Sequence, residues 1–352
     1  MGIGSALALA VERIIAPVED MHSVIAGRWL GRVGPIGRTV ERPYTAVTRF
    51  VYGSIRFGTA VVGAGLDRVS SVEAATLYGL RSWTNGFFGD GLGHHEQRLG
   101  TSMTVRVDPE SQTSGRLVLL VHGLGKTESC WYGTESGPGL AQALADRSGL
   151  TPVLVRYNTG CSVADNGVLL AGLMEDLIAE WPVAIESIAL VGHSMGGLVV
   201  EAAYGAGRRS NRRWVDHVTD IITIGTPHHG APLEKIVRAS ARGLAAFSTT
   251  LPLAGFLDGR SVGIKDLGRV PVDWEAPPPG VRYHLIAGVV TADPGHPLGR
   301  MMGDLMVRTS SSTRPRGAEP TSAVIVSGVT HFYLLQAPAV IGQAMEWLAR
   351  PE

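Results

Sequence analysis

The stretch Ile188-Ala189-Leu190-Val191-Gly192-His193-Ser194-Met195-Gly196-Gly197-Leu198-Val199-Val200-Glu201-Ala202-Ala203 decides the fold. Ile188–Val191 is a short apolar run of the kind that fills a strand buried on both faces. From Met195 onward the residues are small or apolar apart from Glu201, with no proline, and read as a packed helix. Between the two lies G-x-S-x-G, whose small residues let a chain turn sharply. A strand that turns at once into a helix in this way lifts the serine oxygen above the carboxyl edge of a sheet, where it can act as a nucleophile.

The pattern alone is weak. With 46 glycines and 24 serines in 352 residues, about 0.4 such matches arise by chance. A second one exists, Gly259-Arg260-Ser261-Val262-Gly263, but Phe256-Leu257-Asp258 before it reads as loop. Context therefore selects Ser194 over Ser261.

Working outward, apolar β-branched segments alternate with helical ones from about residue 101. Strands are expected at Met103–Val107, Leu117–Val121, Val153–Tyr157, Ile188–Val191, Ile221–Gly225, Tyr283–Gly288 and Ala323–Val326. Helices are expected near Gly139–Arg147, over Val168–Glu180 (stopping before Pro182), over Met195–Tyr204 and over Ala339–Leu348. This alternation predicts an α/β fold, a mostly parallel sheet with helices on both faces. Ligands of such sheets sit outside the carboxyl ends of the strands.

A serine nucleophile needs a base, an orienting acid and donors for the oxyanion. In this architecture the order along the chain is serine, acid, histidine. Of the 11 histidines only His331 follows the last strand, so it is the expected base. The acid should follow Tyr283–Gly288, where Asp304 and Asp293 compete. Gly303-Asp304-Leu305-Met306-Val307 offers a tight approach, whereas Asp293 precedes Pro294 and reads as a turn residue. Asp304 is preferred. The oxyanion donors expected are the backbone amides of Met195, just after the serine, and Leu124, in the turn His122-Gly123-Leu124-Gly125. His122, His193, His228 and His229 read as packing or hydrogen-bonding groups rather than metal ligands.

Residues 1–100 are rich in glycine and alanine and read as a helical N-terminal extension to the domain at 101–352. Val47, Val51, Ile55, Val62, Leu66 and Val69 recur at helical spacing within Tyr44–Val72. Gly53, Gly58, Gly63 and Gly65 suit close packing of helix on helix or, as the second reading, peripheral contact with a membrane. Residues 231–280 interrupt the strand–helix pattern and read as a lid or cap insert.

The composition bounds the rest. Lys+Arg 31 balances Asp+Glu 31, and no basic stripe stands out, so no nucleic-acid partner is expected. Arg208, Arg209, Arg212 and Arg213 read as a solvated helix end. Cys130 and Cys161 show no metal or redox spacing. Met1–Val11 lacks the basic start of an export signal. A cytoplasmic location, with membrane-peripheral contact as the second reading, is the expectation. No organic cofactor is expected, because no phosphate-cradling loop is present. The oligomeric state stays open.

Four segments carry a family resemblance: His122–Gly125, Tyr157-Asn158-Thr159-Gly160, Gly192-His193-Ser194-Met195-Gly196-Gly197, and Gly225-Thr226-Pro227-His228-His229-Gly230-Ala231-Pro232. They resemble bacterial lipase/esterase-like α/β-hydrolases, related to the alpha/beta domain of GPI inositol-deacylases and to triacylglycerol lipases. Asn85-Gly86-Phe87-Phe88-Gly89-Asp90 is similar to the same group. The resemblance implies the α/β-hydrolase fold and hydrolysis of a small-molecule or lipid ester, with Ser194, Asp304 and His331 at the triad positions. Leu305-Met306 depart from the Asp-Gly-apolar-Val pattern usual at the acid. Amide, thioester or acyl-transfer chemistry on the same three residues, or a non-catalytic interaction module, are the alternatives.

Overall fold

The computed structural model describes Glu12, Glu19 and residues 102–107, 111–133, 137–147, 149–230, 261–267, 277–315 and 319–349. The extension expected over 1–100, with its helix over Tyr44–Val72, otherwise lies outside the described residues. So does the 231–280 insert, apart from 261–267 and 277–280.

Seven strands form one sheet: β1 (Thr104–Val107), β2 (Arg116–Val121), β3 (Thr151–Arg156), β4 (Ser187–His193), β5 (Val218–Ile224), β6 (Arg282–Val289) and β7 (Ser322–Ser327). Their order across the sheet is β1-β3-β2-β4-β5-β6-β7. β1 runs antiparallel to β3, and the other pairs are parallel. The chain moves outward from β2 to β3, then returns to place β4 on the other side of β2. The strand order therefore reverses between β2 and β4, and a crevice opens beyond the carboxyl ends of strands at such a reversal.

Alternate residues of each strand enter opposite cores. Leu117, Leu119 and Val121 join Leu190 in one, and Val118 and Leu120 join Val191 in the other. Val163, Leu170 and Met174 of α2 (Val163–Glu180) and Leu198 and Val199 of α3 (Met195–Arg209) cover the first face. Leu140 and Leu144 of α1 (Leu140–Ala145) and Val340 and Trp347 of α7 (Pro338–Leu348) cover the second. Helices on both faces remove all solvent from β4, whose seven residues are buried.

Three short helices lie between the late strands: α4 (Val262–Asp266), α5 (Pro297–Met302) and α6 (Thr309–Ser312). α2 starts five residues before the expected Val168. Ser162 caps it, its Oγ accepting from the Asp165 N–H at 2.9 Å and donating to Asp165 Oδ2 at 2.6 Å.

Near the amino ends of β5, β6 and β7 a polar cluster ties three strands together. Arg282 donates twice to Asp220, at 2.8 and 2.7 Å. His284 lies 3.1 Å from Asp220 and 2.8 Å from Ser322 Oγ, and its ring stacks on Trp347 at 4.5 Å. Burial pushes the Asp220 carboxyl up, but the hydrogen bonds from Arg282 and His284 outweigh it and hold the group at about 2. Cys130 and Cys161 are free thiols. Among the described residues no helix is long and apolar enough to cross a membrane.

Candidate active site

Ser194 stands between β4, the middle strand of the sheet, and α3. Its backbone has φ 54° and ψ −122°, a conformation side-chain-bearing residues seldom adopt and one that stores on the order of 1–3 kcal/mol of strain. The surroundings hold it there. Its N–H donates to the Ile224 carbonyl of β5 at 2.8 Å, and its carbonyl accepts from Gly197 at 3.1 Å. A Cβ at Gly196 would come 2.2 Å from the Val121 oxygen, and one at Gly197 would come 2.0 Å from Thr226 Oγ1. Neither position can carry a side chain while the turn keeps this shape.

His331 follows β7, and its Nε2 lies 2.8 Å from Ser194 Oγ. Its Nδ1 lies 2.7 Å from Asp304 Oδ2. The other oxygen, Asp304 Oδ1, accepts from the N–H groups of Met306 at 3.0 Å and Val307 at 2.8 Å. The His331 N–H donates to the Asp304 carbonyl at 2.9 Å, which locks the two loops together. Ser194, His331 and Asp304 are 8%, 3% and 1% exposed, so the series is shielded from water yet reaches the surface at the serine. Leu305, at φ 81°, permits the tight turn that presents the carboxylate.

Asp293 takes no part in this series. Its Oδ1 accepts from the Gly295 N–H at 2.8 Å in an exposed turn. Ser261 is likewise no nucleophile elbow: it caps α4, its Oγ accepting from the Ile264 N–H at 3.3 Å.

The turn after β2 abuts the serine, since a Cβ on Gly123 would come 3.0 Å from Ser194 Cβ. Met195 is the first residue of α3, so its N–H has no intrahelical acceptor. Among the described residues no hydrogen bond engages the amides of Met195 or Leu124. Two histidines back this region. His122 Nδ1 pairs with the Gly123 carbonyl at 3.0 Å, and burial drives its pKa down to about 4. His193 Nε2 meets the His331 carbonyl at 3.3 Å, and burial, then His331 nearby, push its pKa well below the usual value. Both rings are therefore neutral at neutral pH.

A buried polar cluster beside the site escaped sequence reading. Glu201 of α3 accepts from His228 Nδ1 at 2.8 Å and from the Tyr283 hydroxyl, and His228 Nε2 lies 3.3 Å from Thr223 Oγ1. It anchors the turn after β5 to the helix behind Ser194. The only sequence signal is an acidic residue inside the apolar run Leu198–Ala203. His229 is exposed and its N–H meets Ser311 Oγ at 3.0 Å. Among the described residues no group of three or more His, Cys, Asp or Glu side chains could hold a metal ion. Apolar side chains are exposed next to the series: Leu305 beside Asp304, and Phe332 and Tyr333 beside His331. Lys126 Nζ lies 5.1 Å from the centre of the Phe332 ring.

The family model of the PGAP1-like alpha/beta domain matches residues 168–242. That segment holds Ser194 and the turn after β5, but neither Asp304 nor His331. No curated protein matches the chain in sequence. Among solved structures, the chain is similar to Bacillus licheniformis lipase BlEst2 in its propeptide form, with TM-score 0.50 and 19% identity over 71% of this chain and 54% of that one. The mature form of the same lipase gives TM-score 0.46 and 20% identity over 70% and 98%. A Paleococcus ferrophilus monoacylglycerol lipase gives TM-score 0.43 and 15% identity over 70% and 98%. At these identities the likeness is one of fold, and the fold is the α/β-hydrolase fold.

Proposed function

We propose that this α/β-hydrolase-fold chain is a serine hydrolase that cleaves carboxylic esters through an acyl-enzyme. The observation that carries the reading is the unbroken hydrogen-bonded series Asp304–His331–Ser194, ending on a strained residue at the carboxyl edge of the central strand.

The chemistry follows from that geometry. His331 Nε2 takes the Ser194 hydroxyl proton as Oγ attacks the ester carbonyl. Asp304 keeps the ring proton on Nδ1 and stabilises the imidazolium that forms. The Met195 and Leu124 amides donate to the oxyanion. Its carbonyl carbon then expels the alcohol, which takes its proton from His331. Water, deprotonated by His331, attacks the acyl-enzyme carbonyl; the bond to Ser194 Oγ then breaks, Oγ regains a proton from His331, and the acid is released. Exposed Leu305, Phe332 and Tyr333 favour an ester with an apolar acyl or alcohol group, a small-molecule or lipid ester.

Hydrolysis of p-nitrophenyl esters from C2 to C16 by the wild type beside Ser194→Ala tests the reading. Activity that vanishes in the variant is expected, and the chain-length profile then defines the acyl group. A wild type that cleaves no ester and leaves a fluorophosphonate probe unreacted overturns it.

A further inference from the structure

The segment Tyr157-Asn158-Thr159-Gly160 has no part in the chemistry above, yet it runs directly beneath the turn that carries Leu124. We propose that Tyr157 and Thr159 are positioning residues that set the orientation of the oxyanion turn His122–Gly125. The inference rests on the serine-hydrolase reading of that site.

A peptide unit is planar and trans, so its C=O and N–H point in opposite directions. Fixing one fixes the other. Three consecutive peptide planes make up the turn, and each is held by a named bond. The first is His122–Gly123: the Tyr157 hydroxyl donates to the His122 carbonyl at 2.6 Å. The second is Gly123–Leu124: the Gly123 carbonyl accepts from the Lys126 N–H at 3.2 Å and from His122 Nδ1 at 3.0 Å. With that carbonyl held, the Leu124 N–H faces the opposite way. The third is Leu124–Gly125: the Gly125 N–H donates to Thr159 Oγ1 at 3.1 Å. Tyr157 and Thr159 thus secure the planes on either side of the one whose N–H is to receive the oxyanion.

Both side chains suit that task. Tyr157 is 2% exposed and Thr159 1%; the Tyr157 bond is fully buried, and the bond to Thr159 is closed to water on the threonine side. Burial pushes the Tyr157 phenol far above its ordinary value, and it remains a donor at every working pH. Its ring also stacks on His122 at 4.5 Å, fixing the imidazole that holds the middle plane. The chain just after Thr159 is itself anchored to α4. The Gly160 carbonyl accepts from Gly263 at 3.0 Å, and Asp266 Oδ2 accepts from the Val163 N–H at 2.9 Å.

Oxyanion donors are effective because they are aligned before the reaction, and a misplacement of about 1 Å can cost on the order of 100-fold. Thr159→Val removes the acceptor while keeping the shape. Tyr157→Phe removes the donor while keeping the stacked ring. Each variant is expected to lose about 10- to 100-fold in kcat on p-nitrophenyl butyrate and in the rate of fluorophosphonate labelling, with KM within about two-fold. Thr159→Ser, which retains the oxygen, should restore both rates. Melting temperatures check that every variant is folded, and Tyr157→Phe keeps the test decisive if Thr159→Val does not fold. Folded variants that label at the wild-type rate overturn the inference and leave the serine-hydrolase reading intact. Losses in kcat and KM together that Thr159→Ser does not restore also overturn it. A wild type that fails to label at all brings down that reading, and this inference with it.

Discussion

Replacing Asp304 by asparagine separates the orienting role of the acid from its place in the fold. The amide has one oxygen and one NH2, and the structure dictates which faces which way. Oδ1 of Asp304 accepts from two backbone N–H groups, those of Met306 and Val307, while Oδ2 meets only His331 Nδ1. Turning the NH2 toward the backbone would leave two donors unpaired, one buried and one part-buried, at about 1–3 kcal/mol each. The amide oxygen therefore stays with the backbone, and the NH2 faces Nδ1 with a preference of roughly 2–6 kcal/mol. Nδ1 must then act as acceptor, so the single ring proton moves to Nε2. That proton points at Ser194 Oγ, and the base can no longer receive the hydroxyl proton. Such a tautomer switch costs about 10⁴ in kcat, about 5 kcal/mol of barrier. The melting temperature should change little, because both backbone bonds and the shape are retained. The assay is steady-state hydrolysis of p-nitrophenyl butyrate by wild type, Asp304→Asn and Asp293→Asn, with Asp293→Asn expected within about two-fold of wild type. A folded Asp304→Asn that keeps more than a tenth of the wild-type kcat would refute the reasoning.

Other consequences follow from packing and from charge. Gly197→Ala puts a Cβ 2.0 Å from Thr226 Oγ1 and should destabilise the chain by about 1–3 kcal/mol, measurable by urea unfolding. Combining it with Thr226→Ala should recover part of the loss, and an unaffected single variant would show that the turn relaxes freely. Asp220 is held at about 2, below its ordinary value, so its contribution is fully present above about pH 4 and is lost as pH falls toward 2. That contribution is on the order of 2 kcal/mol, and in Asp220→Asn the decline in melting temperature over this interval should flatten. An equal decline in both proteins would place acid sensitivity elsewhere.

Much of the fold is legible in the chain because its elements are long enough to show their period. Each of the seven expected strands is present, and the expected helices are present with shifted ends: one starts early at its Ser162 cap, and the one after Ser194 runs on to Arg209. The sheet order is not legible. Nothing in β3 says that it lies outside β2, or that β1 runs antiparallel to it, because those choices follow from pairing between residues far apart in sequence. The site divides in the same way. Ser194 is marked locally by strand, small-residue turn and helix, and His331 by being the histidine after the last strand. The sequence favours Asp304 over Asp293, which precedes Pro294, but it does not show the hydrogen bond to His331, which depends on how the loops after β6 and β7 meet. The Glu201–His228–Tyr283 cluster was hidden for the same reason: its members lie far apart along the chain and meet only when α3 packs over β5 and β6.

The sequence by itself determined the alternation of strand and helix and the place of the small-residue turn at Ser194, because both are marked by neighbours within a few residues. Tertiary structure alone decided how Asp304 bonds to His331 and to the backbone, how Tyr157 and Thr159 meet the turn after β2, and that all of this gathers at the strand-order reversal between β2 and β4. Those outcomes depend on hydrogen bonds and packing across 27 to 137 residues of chain, over which local preference carries no information.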